Sequence, residues 1–374
     1  MNASGFYLTL LVGPVIPVPV PQPVLDALSS VQITSATAGA SGFQLTFALS
    51  RKSPLHLAFL VAAGATPLLR VVLVLTVRGI PTVLMDGVTT RTEVASGAGG
   101  GSTLTVTGED LTRVMAQQDW SGIPYPAMPA EARVALILAK YAAFGVIPLI
   151  IPSPFSDIRL PVEGMPTHQG TDLQYIQQLA KDVGHVFYID PGPAPATSRA
   201  YWGPEIKVGV PQPALNTDMD GLTNIEGISF AFNTADTALP VVMIQNSLTK
   251  VPIPLPIPKL NPLQPPLGLI PAPYSRVTLM SDTAKLTPLR AIGKGMAEAA
   301  KSADAVTGTG SLNVMRYGHV LRARGLVGVR GAGIAFDGLY YVSSVTSTIA
   351  RGQFTQSFSL TRNGIVSLVP AVMP

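Results

Sequence analysis

The sequence has no cysteine, which excludes disulfides and thiolate metal sites. That absence suits a reducing compartment, so assembly in the cytoplasm is expected. Charge is scarce as well. Asp, Glu, Lys and Arg supply 12% of the 374 residues, against a usual share of about 25%. Hydrophobic residues reach 47%. A chain so composed buries a large core and leaves apolar surface over, and large apolar surface normally marks a permanent partner. Long unbroken apolar runs are missing too, although a membrane-spanning helix needs about 20 such residues in succession. The run Leu55–Val77 is broken by His56, Gly64, Pro67 and Arg70, and the run Val134–Pro152 by Lys140, Gly145 and Pro148. Prolines interrupt Leu8–Val24, and no basic residues precede it. No transmembrane segment and no signal peptide is expected.

Signatures of chemistry are equally sparse. The four histidines, His56, His168, His185 and His319, lie far apart, and none has a partner at metal-ligand spacing. The glycine run Gly97–Gly101 is not followed by Lys-Ser/Thr, so it reads as a hairpin turn and not as a phosphate loop. No G-x-S-x-G elbow occurs. Asp218, Asp220 and Glu205 are the carboxylates that could be paired for glycan hydrolysis. That chemistry needs carboxyls roughly 5–10 Å apart across a substrate, which spacing in sequence does not supply, and a solvated loop is the favoured reading. Arg316, Arg322, Arg324 and Arg330, with Tyr317, form a basic run set among Gly and Val in a strand pattern. A strand face suits it better than a nucleic-acid platform, so no nucleic-acid specificity is expected. Aromatics are only 6%, and Trp120 and Trp202 are the only tryptophans, which weighs against a carbohydrate-binding surface. No catalytic, cofactor-binding or metal-binding residues and no cofactor are expected.

What the chain does have is proline in rhythm. Pro17, Pro19, Pro21 and Pro23 alternate with other residues, as do Pro252, Pro254, Pro256 and Pro258. Proline suits neither a helix interior nor a central strand, so both segments read as extended arms lying on another surface. Between them, Val31–Thr34, Gly42–Leu49, Arg70–Thr76, Thr82–Val94 and Ser102–Val106 carry strand patterns. Helices follow at Leu111–Gln118, from Pro129 to Phe144, and at Thr171–Val183. The last has a Thr171/Gln174 capping box, an apolar stripe of Leu173, Ile176, Leu179, Ala180 and Val183, and a Gly184 stop. Val186–Ile189, Leu222–Phe232 and Val241–Gln245 read as strands, Pro288–Ala305 as a helix, and Ser311–Leu360 as a final strand block. Charge is segregated. No acid occurs from Ala27 to Met85, acids dominate Asp157–Asp236, and from Ala305 onward Asp337 is the only one. The pattern fits complementary subunit faces or an ordinary solvated surface.

Separated blocks of the sequence resemble a known family. The segment Gly170–Asp190, GTDLQYIQQLAKDVGHVFYID, resembles the helix and following strand of the phage late control protein D family. The runs Tyr317–Gly331 (YGHVLRARGLVGVRG), Phe336–Val345 (FDGLYYVSSV) and Gly352–Gly364 (GQFTQSFSLTRNG) resemble its closing block. That family includes baseplate hubs of contractile phages and extracellular injection systems, and the hub part of type VI secretion spike proteins. The resemblance covers roughly residues 30–365. It implies an α+β, mainly β fold with two tube-like β-barrel domains and an intervening helical segment. It further implies a homotrimer whose pseudo-sixfold ring adapts a hexameric inner tube to a trimeric spike, with baseplate wedge components as further partners. Only ten residues follow Gly364, so the spike is expected to be a separate chain.

The expected organisation is a proline-rich arm at 1–27 and a first tube-like barrel at 28–110, completed by about 215–250. A helical α+β insertion follows at 111–214, then a second arm at 251–280, then a helix and second barrel at 281–374. The expected location is the baseplate of a phage tail or contractile injection particle. The alternatives are a tail-tip peptidoglycan-degrading enzyme and a host-glycan-binding tail module.

Overall fold

A computed structural model describes residues 2–3, 5–37, 39–49, 68–96, 101–154, 165–235, 237–245, 251–258, 265–280, 283 and 287–368. His56 and nearly all of the Gly97–Gly101 turn lie outside these residues. The fold is mainly β, and its centre is Arg70–Val77. This run, RVVLVLTV, is β-branched or leucine at most positions and buried along almost its whole length. It pairs antiparallel with Phe6–Gly13 on one side and Ile80–Ser96 on the other. The ladder continues through Ser102–Asp110 and Gly42–Leu49 to Leu28–Ala36.

There it meets the other end of the chain. Leu28–Ala36 pairs with Gly338–Ala350, which pairs with Gln353–Arg362, then Val306–Asn313, then Gly227–Phe232. Leu326–Arg330 branches from Gly338–Ala350 and takes Gln212–Asn216 in parallel. Among the described residues the result is one sheet of 14 strands. Alternation selects its inner face: Phe43, Leu45 and Phe47 point inward from one strand, and Phe354, Phe358 and Leu360 from another. A single apolar cluster runs through both blocks, and Phe6 meets Phe354 with ring centroids 6.1 Å apart. The N-terminal and C-terminal strand blocks therefore share one core, and the pairings among the described residues close neither block on itself.

The insertion has its own core. Ala130–Ala139 and Asp172–Val183 pack with a three-stranded sheet of Val186–Pro191, Ser198–Gly203 and Val146–Ile150 around Val134, Ile137, Ile176 and Trp202. The capping box forms as read: Thr171 N donates to Gln174 Oε1 (3.0 Å) and Gln174 N to Thr171 Oγ1 (3.3 Å). Gly184 ends this helix with φ 73°.

The proline segments differ from expectation. Residues 1–27 are not an extended arm. Phe6–Gly13 holds no proline and is an internal strand, and Gln22–Ala27 is a short helix with Pro23 in its first turn, where no intrahelical N–H is needed. Segment 251–280 contributes three strands, Pro252–Pro256, Gly268–Pro271 and Arg276–Met280. Gly227–Phe232, expected to complete the first strand block, pairs instead with Val306–Asn313 of the second.

One buried ion pair ties these parts together. Arg70 and Asp86, 1% and 2% exposed, stand diagonally across neighbouring strands, two register positions apart. Arg70 donates to both carboxylate oxygens of Asp86, at 2.7 and 2.6 Å. It also donates to Val15 O and Ala196 O, each at 3.0 Å, and Ser198 Oγ donates to Asp86 at 2.9 Å. Removing one partner strands the other's charge. Asp86→Ala is expected to cost about 3–5 kcal/mol in urea denaturation, and the double Arg70→Met/Asp86→Leu variant less than that single change.

Candidate functional site

The residues weighed for chemistry do not converge. Asp218 and Asp220 occupy an exposed turn, with φ 46° and 48°. Glu205 sits in a separate cluster with Lys207. His319 lies edge-on to Tyr317, and no group of three or more metal-ligating side chains occurs among the described residues. His168 does have partners. Its Nδ1 is 3.0 Å from Tyr125 Oη and its Nε2 3.5 Å from Asp172, four residues on. Asp172 is fully buried and receives Lys140 Nζ (2.8 Å) and Tyr141 Oη (2.6 Å). Both His168, 1% exposed, and Asp172 are sealed from solvent, so the relay is a structural network at a helix start. The i, i+4 spacing of His168 and Asp172 was the sequence signal for it.

The C-terminal arginines are not one basic surface. Arg324 reaches Asp190 and Ala36 O and lies over the Tyr188 ring at 4.1 Å. Burial raises the pKa of Asp190, and the Arg324 charge offsets only part of that rise. Arg362 is fully buried, and its guanidinium is held by backbone carbonyls. It donates to Gly364 O (2.7 Å), Asp337 O (2.8 Å) and Ala335 O (2.7 Å), with its guanidinium 4.4 Å from the Tyr340 ring centre. Tyr340 Oη donates to Phe336 O at 2.7 Å. A Cβ on Gly338, at φ 121°, would come within 2.1 Å of Ser367 Oγ. The FDGLYY run thus leads from a turn into strand Gly338–Ala350, and Gly338 and Tyr340 each close a contact there. Lys207 pairs with Asp304 at 2.6 Å. Acids of the middle segment and bases of the C-terminal block therefore meet within one chain, at Asp190 and Arg324.

The surface that stands out belongs to the second proline segment. Ala238–Gln245 pairs with Pro252–Pro256 and, in parallel, with Arg276–Met280. One face of this sheet is covered by helix Pro288–Lys301, where Val242, Ile257 and Met280 pack against Ala291, Met296 and Ala299. The register puts Leu239, Val241, Pro254, Pro256, Val277 and Leu279 on the opposite face. None carries a charge, and Val277 and Leu279 are 64% and 66% exposed. The outer edge is unusual in its chemistry. Ile257 N donates inward to Pro240 O at 2.9 Å. In a strand N–H directions alternate, so Ile253 and Leu255 also point inward and the outward positions are prolines. Their missing N–H groups leave an edge that accepts but cannot donate. The first segment does the same: Val20 N donates inward to Leu10 O at 3.0 Å, which turns Pro19 and Pro21 outward. Sheet edges are liable to pair with other chains, and proline blunts them.

Pro254→Val restores one outward donor. It is expected to raise concentration-dependent association, read by sedimentation velocity, without changing the circular dichroism of the fold. His185 gives a pH prediction. Its ring stands edge-on to Trp202, with centroids 4.5 Å apart. Burial lowers its pKa from 6.5 to about 4, against the opposing pull of Glu131. The neutral form is thus favoured by folding, and its stabilisation, present above pH 6.5, is lost as pH falls toward about 4. His185→Phe is expected to flatten that part of the stability–pH profile in denaturant titrations.

No protein-family profile matches this chain, and no curated protein matches it in sequence. Solved structures do match its fold. A tail protein from Neisseria meningitidis MC58 superposes with a TM-score of 0.64 at 14% identity, over 97% of this chain and 98% of that one. The 43 kDa tail protein of prophage MuSo2 from Shewanella oneidensis gives 0.61 at 12% identity, over 95% and 98%. An Escherichia coli type VI secretion component, described as similar to the T4 bacteriophage tail proteins gp27 and gp5, gives 0.55 at 11%, over 93% and 77%. The fold of this chain is that of these phage-tail and type VI secretion proteins.

Proposed function

We propose that the chain is a structural hub of a contractile tail or injection particle. Three copies would form a pseudo-sixfold ring, each contributing its two strand blocks as tube-like units. The ring would join a hexameric inner tube to a trimeric spike, with wedge components around it. The observation that carries this reading is the whole-length likeness of the fold to tail proteins. The uncovered apolar sheet face supports it, because a permanent subunit contact resembles a core cut in half. Scarce charge supports it for the same reason. Among the described residues, Asp218 and Asp220 sit on an exposed turn and line none of the three main cavities, and the role proposed is not enzymatic.

Light scattering of the purified chain, alone and with its tube and spike proteins, tests the reading. A trimer, or a monomer that joins the spike at equal stoichiometry, is expected. A monomer that ignores both would overturn it. Val277→Asp with Leu279→Lys removes two exposed apolar side chains, each contributing about 1.5–3 kcal/mol if buried at a contact. Association is expected to weaken by at least ~100-fold while the melting temperature of the isolated chain stays within error.

A further inference from the structure

The two strand blocks repeat one another. In the first, Leu28–Ala36, Gly42–Leu49, Ser102–Asp110, Ile80–Ser96 and Arg70–Val77 lie side by side, each antiparallel to the next. In the second, Gly227–Phe232, Val306–Asn313, Gln353–Arg362, Gly338–Ala350 and Leu326–Arg330 do the same, and both blocks take their strands from the chain in the same sequence. The bulge recurs too, at Thr89/Arg91 in one long strand and at Val342/Ser344 in the other. The seam between the blocks uses unlike elements, because Leu28–Ala36 of the first pairs with the far half of Gly338–Ala350 of the second. Such a head-to-tail contact leaves one complementary edge over on each block. Those edges are Gly227–Phe232 and the far half of Ile80–Ser96, and among the described residues neither has a strand on its outer side.

Hydrogen-bond phase shows what the two edges offer. Asn233 N donates to Ala305 O at 2.8 Å, so Gly227, Ser229 and Ala231 turn their backbone groups to Val306–Asn313, and Ile228, Phe230 and Phe232 turn theirs outward. Asp110 N donates to Ser41 O at 2.9 Å. That phase leaves Thr103, Thr105 and Thr107 to bond Ala95, Glu93 and Arg91, and it turns Thr92, Val94 and Ser96 outward. None of these six outward residues is proline, so each edge donates as well as accepts. Both edges are open to solvent at apolar positions, Val94 at 43% and Phe232 at 38%.

We propose that Gly227–Phe232 of one copy pairs antiparallel with the far half of Ile80–Ser96 of the next, repeating between chains the seam found within one. Aligning the two bulges sets the register. The pairs Val31–Ile349, Ile33–Ser347 and Ser35–Val345 within a chain become Ile228–Ser96, Phe230–Val94 and Phe232–Thr92 between chains. Side-chain phase agrees, since Ile228 and Phe230 pack toward the core as Val31 and Ile33 do. The contact rests on the ring of copies proposed above and names the strands that would join it.

The chain has no cysteine, so an introduced pair has no competitors. In this register Ala95 faces Ser229 between hydrogen-bonded pairs, where Cα atoms lie about 4.5 Å apart, within disulfide reach. Ala95→Cys with Ser229→Cys in one chain, mixed with its tube and spike proteins and mildly oxidised, is expected to give dimers and trimers linked between chains. They are expected on non-reducing gels at least ~10 times faster than from Arg91→Cys with Ser229→Cys, positions about 14 Å apart in this register. A disulfide within one chain, or no more product than the control gives, would overturn the pairing. Val94→Pro needs no cysteine. It removes an outward N–H and leaves the bonds of its own sheet, so circular dichroism is expected to stay unchanged while association weakens about 10-fold or more. Association equal to that of the unaltered chain overturns the pairing. Trimers that form without the cross-link overturn the pairing and leave the ring standing, whereas a chain that stays monomeric with tube and spike overturns both.

Discussion

The pairing of Arg70 with Asp86 is the constraint on which the arrangement of the whole chain rests. A guanidinium removed from water must place its donors, and Arg70 places them on three different parts of the molecule. The carboxylate is on the adjacent strand, Val15 O precedes the proline edge, and Ala196 O leads into the last strand of the insertion. Asp86 completes the set by accepting from Ser198. Buried pairs of this kind add little net stability over apolar packing, but they tolerate very few alternative geometries. Through Ala196 and Ser198 the pair ties the insertion to the sheet.

The same economy explains the other internal charges. The chain has few ionisable residues, and several of them are spent inside. Arg324 bridges the C-terminal block to Asp190 of the insertion, and Lys207 of the insertion reaches Asp304 ahead of the last strands. Arg362 caps three carbonyls at the FDGLYY turn. With these groups turned inward, the outside is left poor in charge, and the bare face carrying Val277 and Leu279 is one result.

Local signals were legible in the sequence and long-range ones were not. Helix Asp172–Val183 announced itself by a hydroxyl and an amide three residues apart, and Gly42–Leu49 by strict alternation. Both depend only on neighbours. The proline segments misled because proline is read as an obstacle to any strand. Period-two spacing removes the obstacle, since each missing N–H falls on the side with no partner. The pair of Arg324 with Asp190 left no trace because its partners are remote, 134 residues apart. The family-like blocks were visible because some of their residues fill fixed contacts, as Gly338, Tyr340 and Arg362 do. The apolar face was implied by composition, but its position needed the strand register.

The seam between Leu28–Ala36 and Gly338–Ala350 bears on how such a chain is made. Thr34 and Thr346 touch across it, side chain to side chain at 3.2 Å, although 312 residues separate them. At a ribosomal pace of about 5–20 residues per second, the first strand would wait roughly 15–60 s for its partner to be synthesised. Through that interval Val31 and Ile33, both buried in the finished sheet, belong to an open edge. Production of this protein is thus exposed to whatever else is translated nearby, and chaperone supply during elongation becomes a determinant of its yield.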